Sequence, residues 1–222
     1  MTRKILAAAL TLVLILGGGW WLTRATTVTP VDLPMAASAQ DGEVDISEVQ
    51  EMALGEADAP VEVIEYASFT CPHCATFHTG PFKQIKEDYV DTGKVRFIHR
   101  EVYFDKYGMW ASLIARCAGP DRYFGVIDMI YKAQSDWSRA GSDMAIAEEL
   151  RKIGRLAGLE SDRLEACLSD SDKLRSLVAW YQQNATEHEI EATPSFVIDG
   201  EKYSNMNYDD FSAILDEKLG EE

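Results

Sequence analysis

The spacing of apolar positions changes from strand-like to helical near residue 70. Val61–Phe69 is an almost continuous apolar run, which predicts a buried strand. The segment from residue 71 to about Asp91 has apolar residues at helical spacing, and Gly80-Pro81 within it predicts a kink. Lys94–Val102 predicts the next strand. A strand, a crossover helix and a second strand favour parallel pairing of the two strands.

The apolar positions of residues 106–187 have helical spacing throughout, and this segment interrupts the predicted sheet halfway along the chain. A short strand is predicted before the first run, at Val49–Leu54, and a hairpin around Asp199-Gly200 follows the helical segment. Asp209–Leu219 predicts a closing helix. The first helix of the interrupting segment is predicted to be stopped by Gly119-Pro120, and each of the four helices that follow it is preceded by an acidic or hydroxyl residue suited to capping. These predicted helices are Met109–Cys117, Tyr123–Gln134, Asp143–Ala157, Ser161–Leu168 and Asp172–Glu187.

The first 24 residues predict export from the cytoplasm. Arg3 and Lys4 precede the uncharged apolar residues 5–22, which have the charge order of a signal peptide and, at about 18 residues, the length of a membrane span. Trp20-Trp21 favours a retained anchor, because tryptophan is enriched at membrane interfaces. Ala37-Ser38-Ala39 resembles a cleavage site and favours removal of the segment. Both alternatives place the remainder where disulfides persist.

Composition divides the remainder into a linker and one domain. Residues 25–47 mix Thr, Pro, Ala, Ser and acids, as linkers do, and residues 48–222 suffice for a single domain with its own core. The chain has a formal net charge of −16. This charge argues against nucleic acid as a partner and against adhesion to anionic lipid, and it favours solubility.

Cys71-Pro72-His73-Cys74 carries the chemistry. The pair follows a strand and opens a helix, where Pro72 suits the first turn. A helix N-terminus favours an anion, so the Cys71 sulfur is predicted to be a thiolate, the nucleophile of thiol–disulfide exchange. Cys74, one turn inward, is placed to attack a mixed disulfide. His73 can stabilise the thiolate as a cation or hydrogen-bond donor.

The alternatives to a redox pair are half of a zinc site and an inert disulfide. A structural zinc site needs about four ligands, and the other two cysteines, Cys117 and Cys167, are far apart in sequence. We therefore expect no metal and no cofactor beyond the Cys71–Cys74 disulfide itself. Cys117 and Cys167 most simply form a structural disulfide, and a second redox-active pair is the alternative.

Glu65 is a candidate proton-exchange group for Cys74. Its strand face is otherwise apolar, so its pKa is predicted to be raised by burial. The alternative is an acid on an edge strand that reaches solvent. A cation from Arg96 or Arg100 could modulate it. The other histidines have no comparable placement and are interpreted as structural or surface residues; they are His78, His99 and His188.

Together these features resemble the DsbA-like branch of the thioredoxin superfamily, the bacterial periplasmic thiol–disulfide oxidoreductases. The resemblance covers about residues 48–220 and rests on Glu65, on Phe69–Cys74 and on Thr193-Pro194-Ser195-Phe196. It implies an α/β, thioredoxin-like fold with an α-helical insertion at about residues 106–187. It also implies a cis bond between Thr193 and Pro194 that faces the cysteines, beside backbone that pairs with an extended substrate peptide.

The resemblance implies a function and a set of partners. The expected substrates are exported proteins with free cysteines, and a membrane redox partner is expected to recharge the disulfide. The expected location is the periplasm, with the protein either soluble after cleavage or tethered to the inner membrane by residues 5–22. An isomerase or reductase is the alternative within the fold, because isomerase relatives have threonine before the proline whereas the best-known oxidases have valine.

Oligomeric state and function class complete these expectations. Isomerase relatives usually carry a separate dimerisation domain, for which residues 23–47 leave no room, so a monomeric oxidase is expected. A metal-binding or peptide-holding module is the alternative from a different function class.

Overall fold

A computed structural model describes residues 44–220 of the chain. The predicted signal or anchor segment and most of the predicted linker lie outside the described residues. Among residues 44–220, no helix combines the length and apolar character needed to cross a bilayer.

The described residues form a five-stranded sheet in the order β1-β3-β2-β4-β5. The predicted parallel pair is present, with Val61 of β2 opposite Val95 of β3, and the other neighbouring strands are antiparallel. β2 ends two residues earlier than predicted, because the Cys71 N–H closes a turn by donating to the Ser68 carbonyl. The strands are β1 (Met52–Leu54), β2 (Val61–Ala67), β3 (Val95–Glu101), β4 (Ser195–Ile198) and β5 (Glu201–Ser204).

The kink predicted at Gly80-Pro81 divides the helix after β2. Helix α1 is Pro72–Thr79 and helix α2 is Pro81–Ile85, and a π-helical turn, Lys86–Val90, completes the segment. Proline cannot donate the hydrogen bond that would continue α1, so the chain restarts a helix with proline in the first turn.

Six helices separate β3 from β4, and α9 (Tyr208–Leu219) follows the hairpin. The Asp105 carboxylate caps the first by accepting the N–H groups of Tyr107 and Gly108, so this helix begins three residues before its predicted start. The predicted helix 123–134 is wrong at both ends, because Pro120 occupies the first turn and a break at Ala133 separates the last turn. The six are α3 (Lys106–Cys117), α4 (Pro120–Lys132), α5 (Gln134–Trp137), α6 (Asp143–Leu156), α7 (Ser161–Leu168) and α8 (Ser171–Glu187).

Two large apolar clusters each include a residue of α1. One contains Phe69, Cys74 and the buried faces of the inserted helices. The other joins the sheet to α1, α2 and α9, with Phe77 and Phe196 in contact at its centre. Helix α1 therefore packs against both layers, with Cys74 toward the insertion and Phe77 toward the sheet.

Candidate active site

Cys71 is the residue that immediately precedes α1, and its side chain is half-buried. Its Sγ donates to the Thr193 carbonyl oxygen at 3.4 Å. The Thr193-Pro194 peptide bond is cis. The fold therefore brings together the helix start and the loop before β4, two segments more than 100 residues apart in sequence.

The pKa values of the two thiols of the motif are shifted in opposite directions. The pKa of Cys71 is lowered to about 5, mainly by a hydrogen bond from the Cys74 thiol, which outweighs the opposing effect of burial. The Thr193 side chain and the N–H groups of Cys74 and His73 stabilise the thiolate further. Cys74 is fully buried, and burial raises its pKa far above the ordinary value. The pair thus has one nucleophilic sulfur and one that holds its proton.

His73 is exposed, and the group that it brings to the Cys71 sulfur is its backbone N–H. The effect predicted for its imidazole remains a prediction. Changing His73 to alanine should raise the midpoint of the Cys71 thiolate by about one pH unit if the imidazole acts as a nearby cation.

An absorbance titration of the reduced protein measures this midpoint, which should lie near pH 5 in the unmodified protein. Thr76→Ala, an exposed change on the same helix, is the matched control. A midpoint that is the same in both variants would remove the imidazole from the mechanism and leave the backbone N–H groups.

Glu65 is fully buried on β2, as the alternation of the strand predicts. Its Oε2 lies 2.7 Å from Nε2 of His78, and its Oε1 has no hydrogen-bond partner among the described residues. Burial raises the pKa of Glu65 to about 8, partly offset by neighbouring His99 and reinforced by the charge of Cys71. Burial lowers the pKa of His78 to about 3 and that of His99 to about 4, so both rings are neutral near pH 7.

The predicted modulation of Glu65 by Arg96 or Arg100 is wrong. Arg96 pairs with Glu62, and Arg100 pairs with Glu51. The register explains this, because Arg96 and Arg100 lie opposite Glu62 and Tyr66, on the other face of the sheet.

Two histidines that the sequence interpretation set aside occupy the position next to Glu65. His99 lies directly opposite Glu65 on β3, and His78 follows Cys74 by one helical turn. Both signals were available in the sequence: His99 alternates with Val95 and Phe97, and the spacing of four places His78 on the same helix face as Cys74. The structure places His188 elsewhere, with its Nδ1 2.6 Å from the Tyr66 hydroxyl.

Glu65, His78 and His99 have ligand-type atoms within 4.8 Å of one another. Imidazole and carboxylate groups can hold divalent metals. Here, however, the ring nitrogens are already within hydrogen-bond distance of protein groups: Nε2 of His78 contacts Glu65, and the two nitrogens of His99 contact the Tyr123 and Tyr131 hydroxyls. We therefore interpret the cluster as one that exchanges protons.

Polar groups of the insertion hold the backbone of the cysteine loop. The Gln134 side chain donates to the carbonyl oxygens of Phe69 and Cys71, both at 2.8 Å. The Thr70 hydroxyl donates to the Asp105 carboxylate at 2.7 Å. Sequence reasoning missed Gln134, since nothing local to it distinguishes it from any other polar residue after a helix.

Cys117 and Cys167 are joined by a disulfide that links α3 to α7. Cys71 and Cys74 are the free thiols of the described residues. The bridge therefore fastens two helices of the insertion, and the thiol pair is left for exchange.

Residues 47–217 match the family model described as Thioredoxin. The chain belongs to the thioredoxin family. A putative protein-disulfide oxidoreductase of Rickettsia bellii is 34% identical over 172 residues, which are 77% of this chain and 65% of that protein. Disulfide bond formation protein D of Bacillus subtilis is 26% identical over 175 residues, 75% of this chain and 76% of that protein.

Solved structures of DsbA-like proteins are similar to this chain. The crystal structure of Wolbachia pipientis alpha-DsbA1 has a TM-score of 0.72 and 28% identity, over 78% of this chain and 92% of that one. The expected thioredoxin-like fold and the resemblance to DsbA-like proteins are thereby confirmed. The chain spans 65% of the length of the Rickettsia bellii relative and 61% of that from Rickettsia conorii.

Proposed function

We propose that this protein exchanges disulfides with exported proteins through Cys71 and Cys74, and that it acts as an oxidant. The observation that carries the proposal is the unequal acidity of the two sulfurs. A thiolate that hydrogen bonds stabilise lowers the free energy of the reduced form relative to the disulfide. Electrons therefore flow from substrate thiols to the pair, and the substrate gains the disulfide.

The reaction begins at Cys71, because Cys74 is buried. A substrate thiolate attacks the Cys71 sulfur of the oxidised pair, and Cys74 leaves with the electrons of the broken S–S bond and takes up a proton. A second substrate thiolate then attacks the substrate sulfur of the mixed disulfide. The substrate disulfide forms, and Cys71 leaves as a stabilised thiolate.

The Thr193-Pro194 segment is the proposed substrate platform. The Thr193 carbonyl accepts from the Cys71 thiol, so this stretch of backbone lies beside the reacting sulfur. An extended peptide can add to such backbone as a strand does, with its cysteine directed at Cys71. A periplasmic location, a monomeric state and a membrane partner that reoxidises the pair complete the proposal.

Equilibration with glutathione tests the oxidant role. The potential should lie well above the roughly −270 mV of thioredoxin and near the oxidising end of the family, about −120 mV. The thiols of protein isolated from the periplasm should be counted in parallel, and Cys71 and Cys74 should be oxidised. A potential near that of thioredoxin, with both thiols free in the cell, would contradict the proposal.

Isomerase activity is the second candidate, favoured by Thr193 before the cis proline. A structure similar to this chain, at 25% identity and a TM-score of 0.67, is named protein-disulfide isomerase from Novosphingobium aromaticivorans. An isomerase must remain reduced to attack wrong disulfides, so the thiol count separates the two roles. Recovery of a substrate with scrambled disulfides by the reduced protein measures the isomerase activity directly.

A further inference from the structure

A network of buried hydrogen bonds connects His99 to an ion pair between β3 and the insertion. Arg116 of α3 donates to both oxygens of Glu101, at 2.6 Å each. The Tyr123 hydroxyl donates to Oε1 of Glu101 at 2.9 Å and lies 2.8 Å from Nδ1 of His99. All four side chains are buried. The network of hydrogen bonds ends at His99, which lies opposite Glu65 in the sheet.

The ion pair determines which group donates and which accepts in each of these hydrogen bonds. Burial opposes ionisation of Glu101, but the Arg116 charge outweighs it and holds the pKa at about 2. A carboxylate only accepts hydrogen bonds, so Tyr123 must donate to Glu101. Burial raises the pKa of Tyr123, which keeps its hydroxyl protonated. Its single hydrogen is then committed, and its oxygen can only accept from His99.

The tautomer of His99 follows. A neutral imidazole has one N–H, and here that hydrogen must be on Nδ1 to donate to Tyr123. Nε2 therefore carries a lone pair. The Tyr131 hydroxyl, 3.3 Å from Nε2, is in place to donate to it. The titratable or charged groups around His99 are Glu65 on β2, His78 on α1, Glu101 on β3, Arg116 on α3, and Tyr123 and Tyr131 on α4.

We propose that Tyr123, oriented by Glu101 and Arg116, fixes His99 in its Nδ1–H form so that Nε2 takes up, through Glu65, the proton that Cys74 loses before it attacks a mixed disulfide. This inference rests on the proposed function and adds Tyr123 and Glu101 to it as positioning residues. Glu65 is the proposed relay because its Oε1 is buried without a hydrogen-bond partner among the described residues, and because a carboxyl oxygen of Glu65 lies within 4.8 Å of a ring nitrogen of His99.

The step balances as follows. The S–H bond of Cys74 breaks and the electron pair stays on sulfur, while the proton passes to Glu65, whose own proton passes to Nε2 of His99. The Cys74 thiolate forms the S–S bond with Cys71, and the partner sulfur leaves as a thiolate. After this relay Glu65 is again a neutral carboxylic acid, and the His99 imidazolium donates its Nδ1–H to the Tyr123 oxygen. The proton returns to Cys74 when a substrate thiolate opens the disulfide.

The test pairs a spectroscopic measurement with a kinetic one. Nitrogen-15 NMR of the reduced, unmodified protein should show His99 protonated on Nδ1 and not on Nε2. The reduced protein is then mixed with oxidised glutathione and quenched with acid at intervals. Mass spectrometry measures the amounts of glutathione adduct and of Cys71–Cys74 disulfide in each sample. In the Tyr123→Phe variant, the Cys71–Cys74 disulfide should form from the glutathione adduct at least about tenfold more slowly than in the unmodified protein near pH 7.

The matched control is Tyr66→Phe, which also removes one buried hydroxyl, but one that contacts Asn184, His188 and Arg100 instead of His99 or Glu101. Alkylation of Cys71 should be equally fast in all three proteins, which separates a proton-transfer defect from a disturbed helix. The inference would be overturned by an Nε2–H tautomer of His99 in the unmodified protein. It would also be overturned if the Cys71–Cys74 disulfide formed at equal rates in the two variants from pH 6 to 9. Failure of the unmodified protein to exchange with glutathione would instead contradict the proposed function, whatever the tautomer.

Discussion

Changing Cys74 to alanine is expected to turn the protein into a trap that stays covalently joined to its partners through Cys71. In the proposed mechanism Cys74 reopens a mixed disulfide by attacking Cys71, so without it no sulfur of the motif can displace the bound partner. Turnover should fall to the uncatalysed background while complexes accumulate. Non-reducing gels of exported proteins, followed by mass spectrometry of the linked peptides, measure both effects.

The matched control for the trap is Cys71→Ala, which keeps the other sulfur of the motif. It should form no complexes, because Cys74 is buried and its raised pKa keeps it a thiol. Faster alkylation of Cys74 than of Cys71 in the reduced protein would reverse the assignment of the two sulfurs.

Loss of the Cys117–Cys167 bridge is expected to lower stability without removing activity. The bridge closes a loop across a sequence separation of 50 residues. By the chain-entropy model such a closure stabilises by about 4 kcal/mol, and its loss should lower the melting temperature by roughly 10 °C in a domain of this size. The double change to alanine, followed by calorimetry and by thiol-oxidation assays per folded molecule, measures the two effects separately.

Cys167→Ala alone is the control for packing, since it removes the bridge but keeps the buried Cys117 side chain. Its melting temperature should fall nearly as far as that of the double variant. A variant that keeps its stability and loses turnover would identify the pair as a second redox relay.

The elements of the fold were predictable because they depend on local chemistry. The apolar runs, the break at Gly80-Pro81 and the hairpin at Asp199-Gly200 each follow from neighbouring residues. The burial of Glu65 follows from the alternation of its own strand. Where prediction was wrong, as at the ends of α4, the competing signal was also local: Pro120 suits a first helical turn, and it was interpreted as a stop.

The surroundings of Glu65 were less predictable because they depend on register. Alternation along β3 separates His99 from Arg96 and Arg100, but only the pairing of Val61 with Val95 places His99 directly opposite Glu65. Gln134 is further still from local inference, since it lies 63 residues after the Cys71 carbonyl to which it donates. A contact of that kind is a property of the packed helices and leaves no pattern in the sequence.

The pairing of the four cysteines affects how the chain matures. Along the sequence, the two thiols of the motif come first, and the two cysteines of the bridge follow as the next neighbours. A chain that enters an oxidising compartment from its N-terminus therefore meets its native partners in the order in which they emerge. No later cysteine has to displace an earlier one, so both pairs can close by simple oxidation without proofreading. The proposed disulfide donor thus has a cysteine connectivity that makes few demands on other catalysts for its own assembly.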